Sequence, residues 1–272
     1  MTDPDHPDAA PAAVEPLSPE DHRLPTLSTF FPMWNEQELI GRAVRAAREV
    51  SEHLVLIGEI SDYEILIVDD ASTDATGRIA DELADDDPHI RAVHHPVNRK
   101  LGGSLKTGFA EAKGDIVLYT DADLPFDMLE LEKAIRLLRI YEADIVSAYR
   151  HDRTAEGGKR VVYSFAYNQL IRLVVGLRLR DVNFAFKLIR RRVLDAVELR
   201  SEGSFIDVEL LAKAQRLGFH ITQFGVDYFP RASGESTLAS PGVILKILRE
   251  MREIVPEIRT LTPVTGRPGN AD

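Results

Sequence analysis

Residues 116–127 read Ile-Val-Leu-Tyr-Thr-Asp-Ala-Asp-Leu-Pro-Phe-Asp, and the fold can be worked out from this stretch outward. Its apolar first half is typical of a buried strand, and that strand delivers Asp121 and Asp123 to its carboxyl end. In open α/β sheets, ligands bind outside the carboxyl ends of the strands. Carboxylate oxygens there suit Mg²⁺ or Mn²⁺ carrying a substrate phosphate. A solvated loop that caps the next helix explains the same residues, so the motif alone leaves both interpretations open.

Strand-like and helix-like patterns alternate around this stretch. The predicted strands are Leu27–Phe31, Tyr63–Val68, Ile90–His94, Ile116–Thr120 and Asp144–Ala148. The predicted helices are Glu36–Leu54, a segment capped by Ser72 or Asp74, Gly102–Lys113 and Asp127–Leu138. This order predicts an α/β fold with a Rossmann-like, mostly parallel central sheet and helices on both faces.

The second half continues with a looser pattern. It predicts helices at Val161–Leu177, Asp207–Leu217 and Val243–Ile258, and strands at Asn183–Ile189 and Ile221–Phe229. The last helix is amphipathic, and its apolar stripe comprises Ile244, Ile247, Leu248, Met251 and Val255. We expect this stripe to pack on the core, with contact to a membrane surface as the alternative.

No repeat or linker divides the chain between the two ends. We therefore predict one catalytic domain over residues 25–238, followed by a C-terminal amphipathic helix over residues 239–261. Residues 1–24 and 262–272 are rich in Pro, Ala and polar groups, and we predict disordered tails there.

Composition limits the class of function. The chain has no cysteine, which excludes disulfides and thiolate chemistry, and a formal net charge of −11, which argues against nucleic acid as a partner. No apolar run reaches the roughly 18 to 20 residues of a membrane span, and the first residues lack the basic and apolar regions of a signal peptide. We expect a cytoplasmic protein, with peripheral attachment to the cytoplasmic face of the membrane left open.

Carboxylates follow three of the predicted strands. Glu36 comes after the first, Asp69 and Asp70 after the second, and Asp121 and Asp123 after the fourth. Carboxyl ends of parallel strands share one edge of a sheet, so we expect these groups to line one polar crevice. Asp70 could accept a hydrogen bond from a nucleotide base or ribose, while helix capping remains its alternative role.

Other polar groups allow two interpretations each. An anionic substrate needs positive charge, for which the candidates are Arg150, Lys159, Arg160, Arg180 and Arg231. Asp207 and Glu209 fit the first turn of a helix as dipole partners, or one of them serves as a base. Gly102, Gly103 and Gly108 lack P-loop spacing, and tight helix packing explains them better. The pair His94-His95 is expected at a strand end, without a chemical role.

Seven motifs in register resemble the family 2 glycosyltransferases with the GT-A fold, and the later motifs resemble their dolichol-phosphate mannose synthase branch. They are Phe31–Glu36, Ile67–Asp74, Asn98–Gly108, Thr120–Asp123, Asp181–Lys187, Asp207–Leu211 and Arg231–Ser236. The resemblance covers roughly residues 26–238. It implies inverting transfer of a hexose from a nucleotide diphosphate sugar, of the GDP-mannose or UDP-glucose type, to a polyprenyl phosphate.

The same resemblance implies roles for individual residues. Pro32, Trp34, Glu36 and Asp70 would hold the nucleotide, and Asp121 and Asp123 would bind Mg²⁺ or Mn²⁺ and the diphosphate. Arg150 and Arg160 would bind the acceptor phosphate, with Ser164 and Asn168 on the helix behind, and Glu209 would lie near the acceptor. Arg231 and Ser236 would belong to a loop that closes on the donor diphosphate.

Six positions depart from the family pattern, and they leave the donor sugar and the acceptor open. They are Trp34, Lys100, Pro125, Ala185, Lys187 and Thr237, where the family commonly has Tyr, Gly, a polar residue, Gly, Arg and Lys. Three alternatives therefore remain. A soluble hydroxyl acceptor would need Asp207 or Glu209 as base. A haloacid dehalogenase type phosphohydrolase is disfavoured because the Asp-x-Asp motif follows the fourth strand, and a nucleotide-sugar binder without turnover is the third.

Overall fold

The computed structural model describes residues 23–151, 169–229 and 241–264 of the chain. Seven strands form one sheet: β1 (Thr26–Met33), β2 (Asp62–Asp69), β3 (Ile90–His94), β4 (Ile116–Thr120), β5 (Ile145–Arg150), β6 (Phe186–Arg190) and β7 (Ile221–Val226). Their spatial order is β3-β2-β1-β4-β6-β5-β7. All pairings are parallel except those of β6, which runs antiparallel to both β4 and β5. The predicted mostly parallel α/β sheet is therefore confirmed.

Helices cover both faces of the sheet. They are α1 (Ile40–Leu56), α2 (Thr76–Asp86), α3 (Lys100–Glu111), α4 (Glu130–Ile140), α5 (Arg191–Ala196), α6 (Ile206–Arg216) and α7 (Pro241–Thr260), and residues 169–175 are also helical. One core lies between the sheet and α1, α2 and α4, and the other between the sheet and α3, α6 and α7. The central strands are apolar on both sides because each side faces a core.

Adjacent residues of β1 and of β4 show that each of these strands faces a core on both sides. Phe31 and Leu118 belong to the first core, whereas Phe30 and Tyr119 belong to the second. The rings of Phe30 and Tyr119 stack with centroids 5.8 Å apart. Since successive side chains of a strand point to opposite faces, the unbroken apolar run at residues 116–119 is what a doubly covered strand requires.

Some elements differ from the prediction. The antiparallel direction of β6 was not predicted, because an apolar run carries no information on strand direction. Helix α5 was missed because six residues are too few to show a helical period. The predicted helix Val161–Leu177 is helical at residues 169–175, and residues 152–168 lie outside the described part.

Helix α7 packs on the core as expected, through Met251 and Val255 of the predicted stripe. Leu248 does not belong to that packing, since it is 45% exposed. Polar contacts to the folded part of the chain also reach the ends of the predicted tails: Arg23 pairs with Asp115 at 2.9 Å on the surface, and the Val264 amide donates to the Leu217 carbonyl at 3.0 Å. Within the described ranges, no helix combines the length and apolarity needed to cross a bilayer.

The strand order creates a topological switch point beside β1. The chain proceeds from β1 outward to β2 and β3, and then returns to place β4 on the other side of β1. Connections on the two sides of β1 diverge, which opens a crevice at the carboxyl ends of β1 and β4. Ligands of open α/β sheets bind at such a crevice.

Candidate active site

The predicted carboxylates lie around this switch point. In the parallel register Met33 at the end of β1 pairs with Asp69 at the end of β2, and the Asp70 amide donates to the Met33 carbonyl at 2.8 Å. Glu36 follows β1, and Asp121 and Asp123 follow β4, which pairs with the other side of β1. The prediction that three strands present carboxylates at one edge is confirmed.

The loops at this edge adopt unusual backbone conformations. Asn35 after β1, Ala71 after β2 and Leu124 after β4 have φ values of 56°, 57° and 46°. Left-handed backbone is uncommon for residues other than glycine and is enriched at functional sites. Lys100, at the start of α3, has φ of 63°. That conformation favours glycine, the residue that the family resemblance led us to expect at this position.

Side-chain hydrogen bonds tie the β1 loop to the β2 loop. The Asn35 amide donates to Ser72 Oγ at 2.9 Å, and Asn35 Oδ1 accepts from the Thr73 amide at 2.8 Å. The Glu36 amide donates to Thr76 Oγ1 at 2.8 Å. These bonds fix the backbone directly after Trp34, a residue that is 55% exposed.

Asp74 lies just before α2 and bonds to Thr76, the first residue of that helix. Its Oδ1 accepts from the amide and the hydroxyl of Thr76, at 2.9 Å and 2.6 Å. Burial raises the pKa of Asp74, but these bonds from Thr76 and that of the Gln37 amide more than offset it and lower the pKa overall. The residue at the N-cap position of α2 is Ala75, which has no capping side chain. Of the two predicted caps, Asp74 bonds to the first residue of α2, and Ser72 bonds to the β1 loop instead.

Asp70 is held from several sides. Its Oδ1 accepts from the Arg99 amide at 2.7 Å and lies 2.7 Å from Nδ1 of His95, while Asn98 Nδ2 donates to the Asp70 carbonyl at 3.1 Å. Asp70 therefore does not cap a helix. His95, expected to have no role, is a buried partner of this carboxylate. No local pattern indicates this contact, because it joins groups 25 residues apart.

Asp121 and Asp123 lie on a loop that is anchored in the core. They are partly exposed, whereas Ala122, Leu124 and Phe126 between and after them are buried in the core of the α1 and α4 face. The carbonyl of Pro125 accepts from the Phe229 amide at 2.9 Å. Alternate burial thus presents both carboxylates at the sheet edge on a rigid loop.

The donor set of this loop fits a hard divalent cation. Asp121 and Asp123 offer carboxylate oxygens, which Mg²⁺ and Mn²⁺ prefer. Pro125 offers no side-chain ligand, and the described residues contain no group of three or more acidic or histidine side chains arranged to hold a metal. Two protein carboxylates suit a metal that takes its other ligands from substrate phosphates and water.

A buried polar cluster lies beneath these carboxylates. Lys187 of β6 is fully buried. Its Nζ lies 2.7 Å from Oδ1 of Asp207 and donates a hydrogen bond to the Phe184 carbonyl at 2.9 Å. The same Nζ lies 5.2 Å from the ring centroid of Tyr119. Burial raises the pKa of Tyr119 well above its ordinary value, and the charges of Asp207, Asp121 and Asp123 raise it further. The cluster and the crevice carboxylates therefore share one electrostatic environment.

Asp207 is placed as the partner of Lys187. Burial raises the pKa of Asp207 more than the charge of Lys187 lowers it. An inaccessible carboxylate cannot reach a substrate hydroxyl, so its surroundings argue against the predicted role as base.

Glu209 belongs to a second buried network. Its carboxylate accepts from the Arg200 and Ser201 amides, at 2.9 Å and 2.8 Å, and pairs with Lys213 at 2.9 Å. Lys213 also donates to Glu257 of α7 at 2.7 Å. Glu209 is fully buried, so these contacts favour a structural role over the role near the acceptor that the resemblance implied.

Substitution of Glu209 by Gln separates these roles. In Glu209→Gln the side-chain NH₂ group would face the Arg200 or Ser201 amide or Lys213, which are all donors, so one hydrogen bond to the carboxylate is lost. We therefore expect the free energy of unfolding to fall by about 1–3 kcal/mol. Denaturant unfolding measures this loss. Transfer by the folded variant should retain most of the wild-type kcat, whereas unchanged stability with a large loss of kcat would restore the base role. Glu253→Gln, at an exposed position of α7, is the matched control.

Arg150 is held by an acidic partner. Its Nε and Nη2 donate to the two oxygens of Asp181 at 2.6 Å and 2.7 Å, and its guanidinium lies 5.7 Å and 5.1 Å from the ring centroids of Phe184 and Tyr228. Bidentate pairing and stacking give the group a fixed position. The predicted role in acceptor binding stays a prediction.

The glycines of the third motif serve close packing, as predicted. A Cβ at Gly108 would overlap the ring of Phe30, and one at Gly102 would overlap the backbone of Ser201. The Gly102 amide also donates to the Glu202 carbonyl at 3.2 Å. Helix α3 is thereby held against both the sheet and the loop that Glu209 anchors.

Several predicted site residues lie outside the described part of the chain. These are Lys159, Arg160, Ser164, Asn168, Arg231, Ser236 and Thr237. Arg180 is described: its amide donates to Gln223 Oε1 at 2.8 Å, and its guanidinium lies 5.1 Å from the ring centroid of Tyr149.

Comparisons with known proteins agree with the fold and the motif order. A family model described as glycosyl transferase family 2 matches residues 28–198. Glycosyltransferase AglD of Haloferax volcanii is 33% identical over 246 residues, which cover 88% of this chain and 39% of that protein. Undecaprenyl-phosphate mannosyltransferase of Micrococcus luteus is 28% identical over 229 residues, which cover 79% of this chain and 88% of that protein.

Among solved structures, glucosyl-3-phosphoglycerate synthase of Mycobacterium tuberculosis, in complex with Mn²⁺, UDP-glucose and phosphoglyceric acid, superposes with a TM-score of 0.62. The alignment is 22% identical and covers 84% of this chain and 80% of that chain. The two chains share a fold.

Proposed function

We propose that this chain, which belongs to glycosyl transferase family 2, transfers a hexose from a nucleotide diphosphate sugar to a polyprenyl phosphate, with inversion at the anomeric carbon. One observation carries the proposal: Glu36, Asp70, Asp121 and Asp123 follow three adjacent parallel strands around the switch point of the sheet. That is where an α/β sheet binds a nucleotide. A hydrolase acting through an aspartate nucleophile has no comparable support.

The nucleotide half of the site is the β1 and β2 edge. Asp70 is fixed by its contacts with Arg99 and His95, so it can accept from a donor group of the base or ribose. Trp34 offers an exposed aromatic surface beside it, and Pro32 and Glu36 complete this side. Loop-to-loop hydrogen bonds hold these groups before the ligand arrives, which lowers the entropy lost on binding.

The diphosphate half is the β4 edge. Asp121 and Asp123 would hold Mg²⁺ or Mn²⁺, in keeping with the Mn²⁺ complexes of a protein with the same fold. When bound, the cation would neutralise the negative charge that develops on the leaving nucleoside diphosphate. Arg231 and Ser236 would close over the diphosphate in this proposal.

Two considerations support a phosphate acceptor. Relatives are named undecaprenyl-phosphate mannosyltransferase and polyprenol monophosphomannose synthase. A phosphate oxygen is already ionised near neutral pH, so the reaction needs positioning more than a strong base. The burial of Asp207 and Glu209 is consistent with such a reaction. Arg150 and Arg160 would attract and orient the acceptor phosphate.

A lipid acceptor brings the enzyme to a membrane surface, and we propose peripheral attachment on the cytoplasmic side. The helical residues 169–175 and the segment after them present Leu173, which is 82% exposed, and three exposed arginines, Arg172, Arg178 and Arg180. Apolar and cationic groups in one place suit an anionic lipid surface, in a chain whose formal net charge is −11.

Thermal unfolding with UDP- and GDP-sugars tests the donor half of the proposal. In the presence of Mn²⁺ we expect one nucleotide to raise the Tm, because a ligand bound to the native state stabilises it. A ligand present at about 100 times its Kd contributes about 2.7 kcal/mol. Asp70→Asn should bind more weakly, and the exposed Asp86→Asn on α2 should match the wild type. No shift with any nucleotide sugar would contradict the proposal.

A further inference from the structure

We propose that His95 is a positioning residue for the donor nucleotide, acting through Asp70; this inference rests on the proposed function. The side chain of His95 is buried between the end of β3 and helix α3, where it bridges Asp70 Oδ1 at 2.7 Å and Thr107 Oγ1 at 2.9 Å. Its backbone amide donates to the Asp69 carbonyl at 2.9 Å. Both ends of the imidazole and its main chain are therefore fixed.

The hydrogen-bond partners assign the proton of the imidazole. Asp70 Oδ1 accepts from the Arg99 amide, so it is an acceptor oxygen, and Nδ1 of His95 must donate to it. At the other end, Thr107 Oγ1 accepts from Arg99 Nη1 at 3.3 Å. Nε2 of His95 and the threonine hydroxyl can form the remaining hydrogen bond, because the hydroxyl both donates and accepts.

These contacts form a continuous chain of hydrogen bonds from Arg99 through Thr107 and His95 to Asp70. Successive hydrogen bonds polarise one another, which strengthens the final bond to the carboxylate. Arg99 contributes at both ends, through its guanidinium at Thr107 and its amide at Asp70. The Arg99 amide and the His95 imidazole thus both bond to Asp70 Oδ1, and Thr107 of α3 links the Arg99 guanidinium to His95.

The chain of hydrogen bonds uses one oxygen of Asp70 only. Both side-chain contacts described for Asp70 end on Oδ1, and no donor of the described residues contacts Oδ2. Two donors that meet Oδ1 from different directions restrict the rotation of the carboxylate, so the direction of the second oxygen is restricted as well. We infer that Oδ2 meets an N–H or O–H donor of the nucleoside, and that His95 determines how well that contact is aligned.

Three variants test this role by the affinity for UDP and GDP, measured by calorimetry in the presence of Mn²⁺. His95→Leu removes both hydrogen bonds, and we expect affinity for the preferred nucleotide to fall about tenfold, as for a lost bond to a charged group. His95→Asn keeps an amide N–H near the place of Nδ1 and should recover part of the loss. Thr107→Val removes the hydroxyl with little change of shape and should give an intermediate loss.

Pyrophosphate with Mn²⁺ is the second probe, because it lacks the nucleoside. A positioning role predicts that all three variants bind it as the wild type does, and that donor KM rises while acceptor KM does not. His53→Asn, which removes a surface contact to Glu132, is the control for a changed histidine.

Two results would overturn the inference. Either His95→Leu and Thr107→Val bind the nucleotide as tightly as the wild type, or they lose nucleotide and pyrophosphate affinity equally, which indicates general damage to the site. If His95→Leu does not fold, Thr107→Val and His95→Asn decide the question. If the wild type itself binds neither UDP nor GDP, the proposed function fails, and the role of His95 fails with it.

Discussion

Asp123→Ala should lower kcat for hexose transfer by about a hundred- to a thousandfold, the range found when one group that stabilises transition-state charge is removed. The loop that carries Asp123 is anchored by the burial of Ala122, Leu124 and Phe126, none of which changes. We therefore expect the Tm of the variant to stay near that of the wild type. Turnover at saturating donor and Mn²⁺, together with Mn²⁺ affinity measured by calorimetry, checks this result.

A matched substitution makes this result specific. Asp127 lies on the same loop at an exposed position, and its Oδ1 accepts a hydrogen bond from the Leu129 amide. Asp127→Asn keeps an oxygen that can accept this bond. We expect it to retain wild-type turnover. If Asp123→Ala turns over at the wild-type rate with either metal, Asp123 is not a metal ligand, and the diphosphate must be bound elsewhere.

Lys187→Met should lower the free energy of unfolding by about 3–5 kcal/mol, the usual cost of leaving one member of a buried ion pair alone. Lys187 is fully buried, and its only carboxylate partner among the described residues is Asp207 at 2.7 Å. Lys133→Met, at an exposed lysine of α4, should change stability by less than about 1 kcal/mol. Denaturant unfolding of both variants measures the difference.

The loss of stability caused by Lys187→Met should grow as pH rises. Burial already raises the pKa of Asp207 despite Lys187, and removal of Lys187 raises it further. The folded state then holds this proton more tightly than the unfolded state, so stability is greatest at low pH and falls as pH rises toward the raised pKa.

Two measurements check this account of the pair. We expect Lys187→Met to be less destabilised at about pH 5 than at about pH 8. Adding Asp207→Asn should recover part of the stability, because no uncompensated charge then remains buried. A loss that is equal at both pH values and is not recovered in the double variant would mean that packing, and not the charge of Asp207, accounts for it.

The strands of the sheet, and the edge at which carboxylates follow them, could be predicted from local sequence patterns. Strands β3 and β4 match the predicted bounds Ile90–His94 and Ile116–Thr120, because their apolar runs end sharply in polar residues. In a parallel sheet the carboxyl ends share an edge, so the chain positions of Asp70, Asp121 and Asp123 directly after their strands predicted that they lie at one edge. Local pattern was sufficient for both inferences.

The surroundings of individual side chains could not be predicted in this way. His95 reaches Asp70 across 25 residues, and Glu209 accepts from the Arg200 and Ser201 amides of a loop that carries no recognisable pattern. From sequence, Asp207 has the pattern of an accessible residue in the first turn of a helix. In the fold it is buried, because β6 places Lys187 against it. Burial of these groups depends on contacts between distant elements, which periodicity does not encode.

A transfer assay tests the central claim most directly. The protein is incubated with Mn²⁺, radiolabelled GDP- or UDP-hexose and a polyprenyl phosphate in detergent, and label is measured in the organic phase. We predict that hexose enters the lipid fraction with the wild type, and that Asp123→Ala and omission of Mn²⁺ each lower the initial rate of this transfer by about a hundredfold or more. The central claim would be contradicted if no nucleotide sugar put label into the lipid fraction, or if Asp123→Ala transferred hexose at a rate near that of the wild type.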